Sequence, residues 1–259
     1  MKTLRMKGKA FLTVLMCVLF ASCENDEDLT KGGSGSLTNG KNLVKIAAVS
    51  EDGSSEYLIS FVYDDKGRLI SATETKEYNN SAYVVNFQYV WGDDVIKVFS
   101  KGSNGIYTQT LKLNNRLVQS EEYVSEWYES TYTYSYNSSK RLSEYADEDY
   151  EISCVWDGDK LKSVSDKNSD DILTYGKSCG KGYFPFVVFF TDLNSPLLMA
   201  HPEIVGARTT QLPVSDVYTY HGNESKTTTY DYEFDKEGYI SRFVRRRGNS
   251  TYVYDLTWE

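Results

Sequence analysis

The residues of this 259-residue chain that could do chemistry are few, and the first is the thiol of Cys23. Basic Lys2, Arg5, Lys7 and Lys9 precede an apolar run over residues 10–20, and small Ala21 and Ser22 lead into Cys23. A positive head, a short apolar stretch and small residues before a cleavage point describe a secretory signal peptide. The run falls short of the roughly 18 apolar residues that span a bilayer. Cys23 is therefore the candidate lipid-attachment residue. Of the other thiols, Cys17 lies inside the signal, which leaves Cys154 and Cys179 in an oxidising compartment. They are the candidate disulfide, worth about 3 kcal/mol in the loop-entropy model; the alternative is two buried free thiols.

Carboxylates come in pairs: Asp64 with Asp65, Asp93 with Asp94, Asp147 with Glu148 and Asp149, Asp157 with Asp159, Asp170 with Asp171. Such pairs could hydrolyse glycosidic bonds or hold calcium. All sit at or near turns, where Asp is favoured for backbone reasons, and no copy has the alternating spacing of a calcium loop. His201 and His221 lack companions at metal spacing, so no metal site and no cofactor are expected. No nucleophile elbow is present either, and no catalytic residue is assigned. Trp127 and Tyr128 interrupt polar residues at a hairpin bend and are candidate ligand contacts. The competing reading folds Trp127 over a sheet edge. In Arg245-Arg246-Arg247, alternation sends Arg246 to solvent with Arg242 and leaves Arg245 near the rim of the aromatic face.

The elements that must position these groups are β-hairpins. The chain holds 22 tyrosines and only 4 prolines, and one pattern recurs: alternating aromatics, a polar turn, then an aliphatic pair. Tyr63-Asp64-Asp65-Lys66-Gly67-Arg68-Leu69 is its clearest turn. Further copies surround Trp91, Leu113, Tyr136, Trp156 and Phe234. Period-two alternation puts the rings on one face and Thr, Ser, Gln and Glu on the other. A two-residue turn at Gly248-Asn249 would set Arg242 opposite Asp255 and Phe243 opposite Tyr254. Units spaced at about 20–28 residues give a meander of about 14–16 strands, too many for a flat open sheet. Such a sheet must curl or close. One insert breaks the rhythm: Ser195 before Pro196 caps a short helix within residues 195–206, expected to plug the aromatic interior.

The domains are thus residues 1–22 as signal, 23–38 as an acidic and Gly/Ser-rich tether, and 39–259 as an all-β antiparallel domain. The order of motifs, from Cys23 through the Tyr63 turn, the Asp192-Leu193-Asn194 insert, Leu212-Pro213 and the Tyr232 to Ile240 hairpin, resembles Bacteroides-type lipoproteins carrying a domain of unknown function with a porin-like fold. The resemblance implies a curled or barrel-like sheet anchored by lipid in the outer membrane. The acidic cluster behind Cys23 resembles a tag for cell-surface display. It implies no activity. A net charge of −9 argues against a nucleic-acid partner. The reading is a non-catalytic binding or interaction module, with a glycan or an envelope protein as partner. The alternatives are a glycan hydrolase using paired turn carboxylates and a carrier of an apolar ligand inside the sheet. Strand length and scattered aromatics predict that the rings line an interior and do not face lipid.

Overall fold

The computed structural model describes residues 41–78, 81–102, 105–191, 193, 195–220 and 225–259. The signal, Cys23 and the tether lie outside them. Sixteen antiparallel strands close into a barrel in sequence order, β1 hydrogen-bonding to β16. The strands are β1 (Leu43–Ser50), β2 (Ser55–Tyr63), β3 (Leu69–Tyr78), β4 (Ser81–Trp91), β5 (Val95–Gly102), β6 (Gly105–Asn114), β7 (Leu117–Ser125) and β8 (Glu129–Tyr136). They continue with β9 (Leu142–Ala146), β10 (Glu151–Asp157), β11 (Lys160–Ser165), β12 (Ser169–Ser178), β13 (Gln211–Tyr220), β14 (Lys226–Phe234), β15 (Ile240–Arg247) and β16 (Ser250–Trp258). Closure removes the exposed edges that a sixteen-strand meander would otherwise carry.

The repeat seen in the sequence is a hairpin unit used eight times. Each unit begins near an aliphatic residue at one barrel end, and most finish on an aromatic whose polar tip ties back to its own first strand. The hydroxyl of Tyr63 donates to the Leu43 carbonyl at 2.7 Å, Trp91 Nε1 to Leu69 at 2.8 Å, and Trp156 Nε1 to Leu142 at 2.6 Å. Tyr175 donates to Leu161 at 2.9 Å, Tyr232 to Pro213 at 2.7 Å, and Trp258 Nε1 to Ile240 at 2.8 Å. A Tyr or Trp serves here because it buries a ring while its polar edge satisfies a strand-end carbonyl. Three of the turns that follow share one geometry as well. Asp64, Asn137 and Asp235 each accept backbone N–H groups two and four residues onward. The left-handed residue is Gly67 in one copy and Gly238 in another, whereas Lys140 takes φ 60° in the third.

Alternation sorts the two faces. Strand β5 buries Ile96, Val98 and Ser100 while Lys97, Phe99 and Lys101 face out. In β14, Thr228 and Tyr230 face in, and Thr227, Thr229, Asp231 and Glu233 face out. The last hairpin has the register read from its turn, Arg242 opposite Asp255 and Phe243 opposite Tyr254.

The chain between β12 and β13 turns into the barrel. It forms a 3-10 segment (Pro185–Thr191), helix α1 (Pro196–Ala200) and a second 3-10 turn (Pro202–Val205). Ser195 caps α1 by accepting from the Leu198 N–H at 3.2 Å, and proline occupies the first turn. Phe184, Phe186, Val187, Val188, Leu197 and Met199 are buried among the inward rings. This insert closes the barrel end at which β1 begins, where Asn42 and Glu259 exchange backbone hydrogen bonds.

Candidate functional site

Because the insert fills one end, the space above it stays open. A cavity of about 540 Å³ lies between the plug and the opposite barrel end. Phe184, Phe186, Phe190 and Phe243 form its apolar floor, and Tyr57, Tyr218, Tyr230 and Tyr254 stand on its walls. A second space of about 240 Å³ beside α1 meets it at Glu74.

The polar wall comes from adjacent strands by alternation alone. Asp171 on β12 pairs in register with Tyr218 on β13, and Leu173 pairs with Asp216, so the two aspartates are diagonal inward neighbours. Next along the wall, Tyr230 on β14 pairs with Arg245 on β15, and Thr228 pairs with Arg247. Asp216 is 3 % exposed and accepts a hydrogen bond from the Tyr230 hydroxyl. Burial, reinforced by the charge of the neighbouring Asp216 and opposed by those of Arg247 and Arg245, pushes the Asp171 carboxyl up to about 7. The Asp171 carboxyl therefore keeps a proton up to near neutrality. The Arg245 guanidinium lies beside the phenols of Tyr230 and Tyr254. The Arg247 guanidinium lies 4.9 Å from the centre of the Tyr218 ring. Asp171 Oδ1 and Arg247 Nε are buried without a hydrogen-bond partner among the described residues.

Across the cavity Glu74 is held by Lys76 at 3.0 Å. Asp166 spends its oxygens on its own turn, accepting from the Asn168 and Ser169 N–H groups at 2.6 and 2.7 Å. Deeper in, Glu121 accepts from the Tyr134 hydroxyl at 2.6 Å, and burial raises its pKa.

The other candidate residues lie apart from this wall. Cys154 and Cys179 are free, buried thiols with no bridge between them, and burial pushes them up to about 12 and about 11. Cys154 points into the barrel from β10, whereas Cys179 begins the plug and hydrogen-bonds to the Thr210 carbonyl, so each is held by packing of its own. Trp127 is 86 % exposed and Tyr128 52 % exposed on the turn after β7. That turn is fastened by Ser125, whose Oγ accepts from the Tyr128 N–H at 3.0 Å, so Trp127 projects from the open rim and covers no edge. His201 is structural: its Nε2 accepts from the Leu69 N–H at 3.2 Å while Nδ1 lies 2.8 Å from Glu203. His221 and Cys23 lie outside the described residues. Among the described residues no cluster of three His, Cys, Asp or Glu side chains could hold a metal, and no helix is long and apolar enough to cross a membrane.

These features define a plugged, closed, sixteen-strand antiparallel β-barrel with a cup at one end. Solved structures share that architecture. A porin-like protein from Bacteroides uniformis superposes with a TM-score of 0.66 at 15 % identity, over 84 % of this chain and 98 % of that one. A porin-like protein from Bacteroides vulgatus gives 0.56 at 14 % identity, over 83 % and 98 %. At such identities the likeness is one of fold. No family model matches the chain, and no curated protein does.

Proposed function

We propose that this protein is a non-catalytic binding module, lipid-anchored through Cys23 in the outer membrane and displayed at the cell surface, whose barrel cup holds a glycan. The observation that carries the reading is the cup itself. A cavity of about 540 Å³ has rings for its floor and carboxyl, guanidinium and phenol groups on its walls. Ligand pockets fall in the same range of roughly 300–1,000 Å³, and a few convergent polar groups over apolar surface are what orients a ligand. Sugars present both an apolar ring face and a fringe of hydroxyls. The described chain begins at the plugged end, where Asn42 and Glu259 exchange backbone hydrogen bonds.

The competing readings fit this geometry less well. Hydrolysis of a glycosidic bond needs two carboxyl groups about 5–9 Å apart in separate roles. Asp171 and Asp216 instead lie within hydrogen-bond reach of each other, closer than that separation. An apolar ligand would leave the wall carboxyl and guanidinium groups desolvated and unpaired, which is costly.

The full chain, purified in mild detergent, should bind members of a glycan panel in titration calorimetry. Tyr57→Ala should weaken that binding about tenfold, and Trp127→Ala should leave it unchanged. Loss on Trp127→Ala with Tyr57→Ala unaffected would move the site to the rim, where a protein partner is the better reading. Release of reducing ends during the titration would make the protein an enzyme.

A further inference from the structure

Resting on that reading, we propose that the ligand is a linear, neutral glycan too long for the cup alone, and that Tyr107, Tyr123 and Tyr128 form a second subsite carrying its outer sugars to the rim. The space of about 240 Å³ that meets the cup at Glu74 has Tyr107, Gln109 and Leu111 of β6 along one wall. From Tyr107 the rings continue outward. The Tyr107 and Tyr123 ring centres lie 5.0 Å apart with planes tilted by 30°, and those of Tyr123 and Tyr128 lie 5.9 Å apart. Strand register sets this order. Gln109 pairs with Tyr123, and Tyr107 pairs with Ser125, the residue that fastens the turn bearing Tyr128. The row therefore runs from the inner wall of β6 across β7 to the open rim.

Exposure separates these rings from the core. Phe184 of the plug and Phe243 of β15 are 1 % and 2 % exposed. Tyr107 and Tyr123 face inward by alternation yet are only half-buried, and Tyr128 is more than half exposed. Rings that merely filled the interior would be covered as the two phenylalanines are. A tyrosine ring offers a flat apolar face beside a polar tip, the surface on which a sugar ring can stack while its hydroxyls stay bonded.

Charge narrows the class further. Glu121 is engaged by the Tyr134 hydroxyl, and outward of it the inward residues of β6 and β7 are Tyr107, Gln109, Tyr123 and Ser125, all uncharged. A charged polymer finds no counter-charge along this stretch. A lipid chain would cover the Gln109 amide without giving it a partner, which is costly. Neutral sugars answer both the ring faces and the amide. Successive sugars of a linear chain repeat on the scale of these ring separations, so several can stack at once. Once the first sugars are seated in the cup, the outer ones bind as tethered groups at high effective concentration.

Calorimetry with the full chain in detergent, comparing disaccharides with hexasaccharides of glucose, mannose and xylose, tests the assignment. In a series that binds, the hexasaccharide should bind at least about tenfold tighter than its disaccharide. Tyr123→Ala should bring hexasaccharide affinity down to the disaccharide's, and Tyr123→Phe should keep the gain, each with the thermal melt retained. Tyr128→Ala, a change on an exposed turn, should cut the gain by about threefold or more. Trp127→Ala, outside the row, should leave both lengths unchanged, and Tyr57→Ala should weaken both. Equal affinity for the two lengths, or a gain that survives both Tyr123→Ala and Tyr128→Ala, would overturn the row as a subsite and leave the cup reading standing. Failure of every sugar to bind would end both readings.

Discussion

Burial and a touching carboxylate both favour the protonated form of Asp171, and a cost to the fold comes with it. Its pKa stands near 7 in the folded chain, above the 3.8 of an unperturbed Asp. Between those values the folded state holds a proton that the unfolded state releases. The folded state therefore loses stability as pH rises from about 4 to about 7 and gains it on acidification. Asp171→Asn removes the ionisation and keeps the shape. Its melting temperature should exceed the parent's by a few degrees near pH 8 and match it near pH 4, in paired scanning calorimetry. An unchanged difference across that range would mean that Asp171 ionises freely. Sequence patterning went part of the way to this site. Alternation placed Arg245 on the aromatic side and Arg246 outside, as found. It could not single out Asp171, which follows an acidic turn and resembles the other turn aspartates, although it lies within a strand. Asp216 was invisible for another reason: its strand follows the plug and contains Pro213, which argues against a paired strand. Only closure of β12 against β13, across the detour of residues 179–210, makes the two neighbours.

The plug is the element on which the cup depends, and its seat is narrow. Gly206 ends the last 3-10 turn at φ 61°, against the Lys140–Leu142 turn of the barrel. A Cβ there would overlap the Lys140 carbonyl oxygen and lie 3.1 Å from the Leu142 nitrogen. Both neighbours are backbone, so neither can swing aside. Gly206→Ala should therefore cost about 2–4 kcal/mol, combining left-handed strain with overpacking, and lower the melting temperature by roughly 5–15 °C. Gly53→Ala is the matched control. That glycine has φ 67° with nothing within 4 Å of a new Cβ, so only strain of about 1 kcal/mol remains. Equal losses in the two variants would mean that the plug yields freely. At this scale the sequence was more informative. Ser195 and Pro196 announced the helix because capping is local chemistry, and the hairpins announced themselves through alternation. The seat did not, because a glycine's tight neighbour in a distant turn leaves no local signature.

For the whole molecule, the decisive contrast lies between the inner and outer faces of the barrel. A membrane-spanning barrel needs an unbroken apolar outer band and strands of about 9–11 residues. Here β9 has 5 residues and β11 has 6. The outer face carries Arg242 paired with Asp255 at 3.6 Å, Arg246 with Asp231, and Lys112 with Glu122. Exposed Val62, Val90, Phe99 and Ile106 are scattered among such groups and form no girdle. Each Lys or Arg held against lipid at mid-depth would cost about 2–4 kcal/mol, and several sit midway along their strands. The interior is also blocked, since buried Phe184, Leu197 and Met199 occupy the cross-section near the plugged end. A chain beginning at residue 38, without signal or Cys23, should therefore fold and elute as one sharp peak in detergent-free buffer. Added to planar bilayers it should carry no current. A detergent requirement together with stepwise conductance would put the outer strands in lipid and make the plug a gate. Absence of both signs leaves the rings facing the cup and the outer strands facing water.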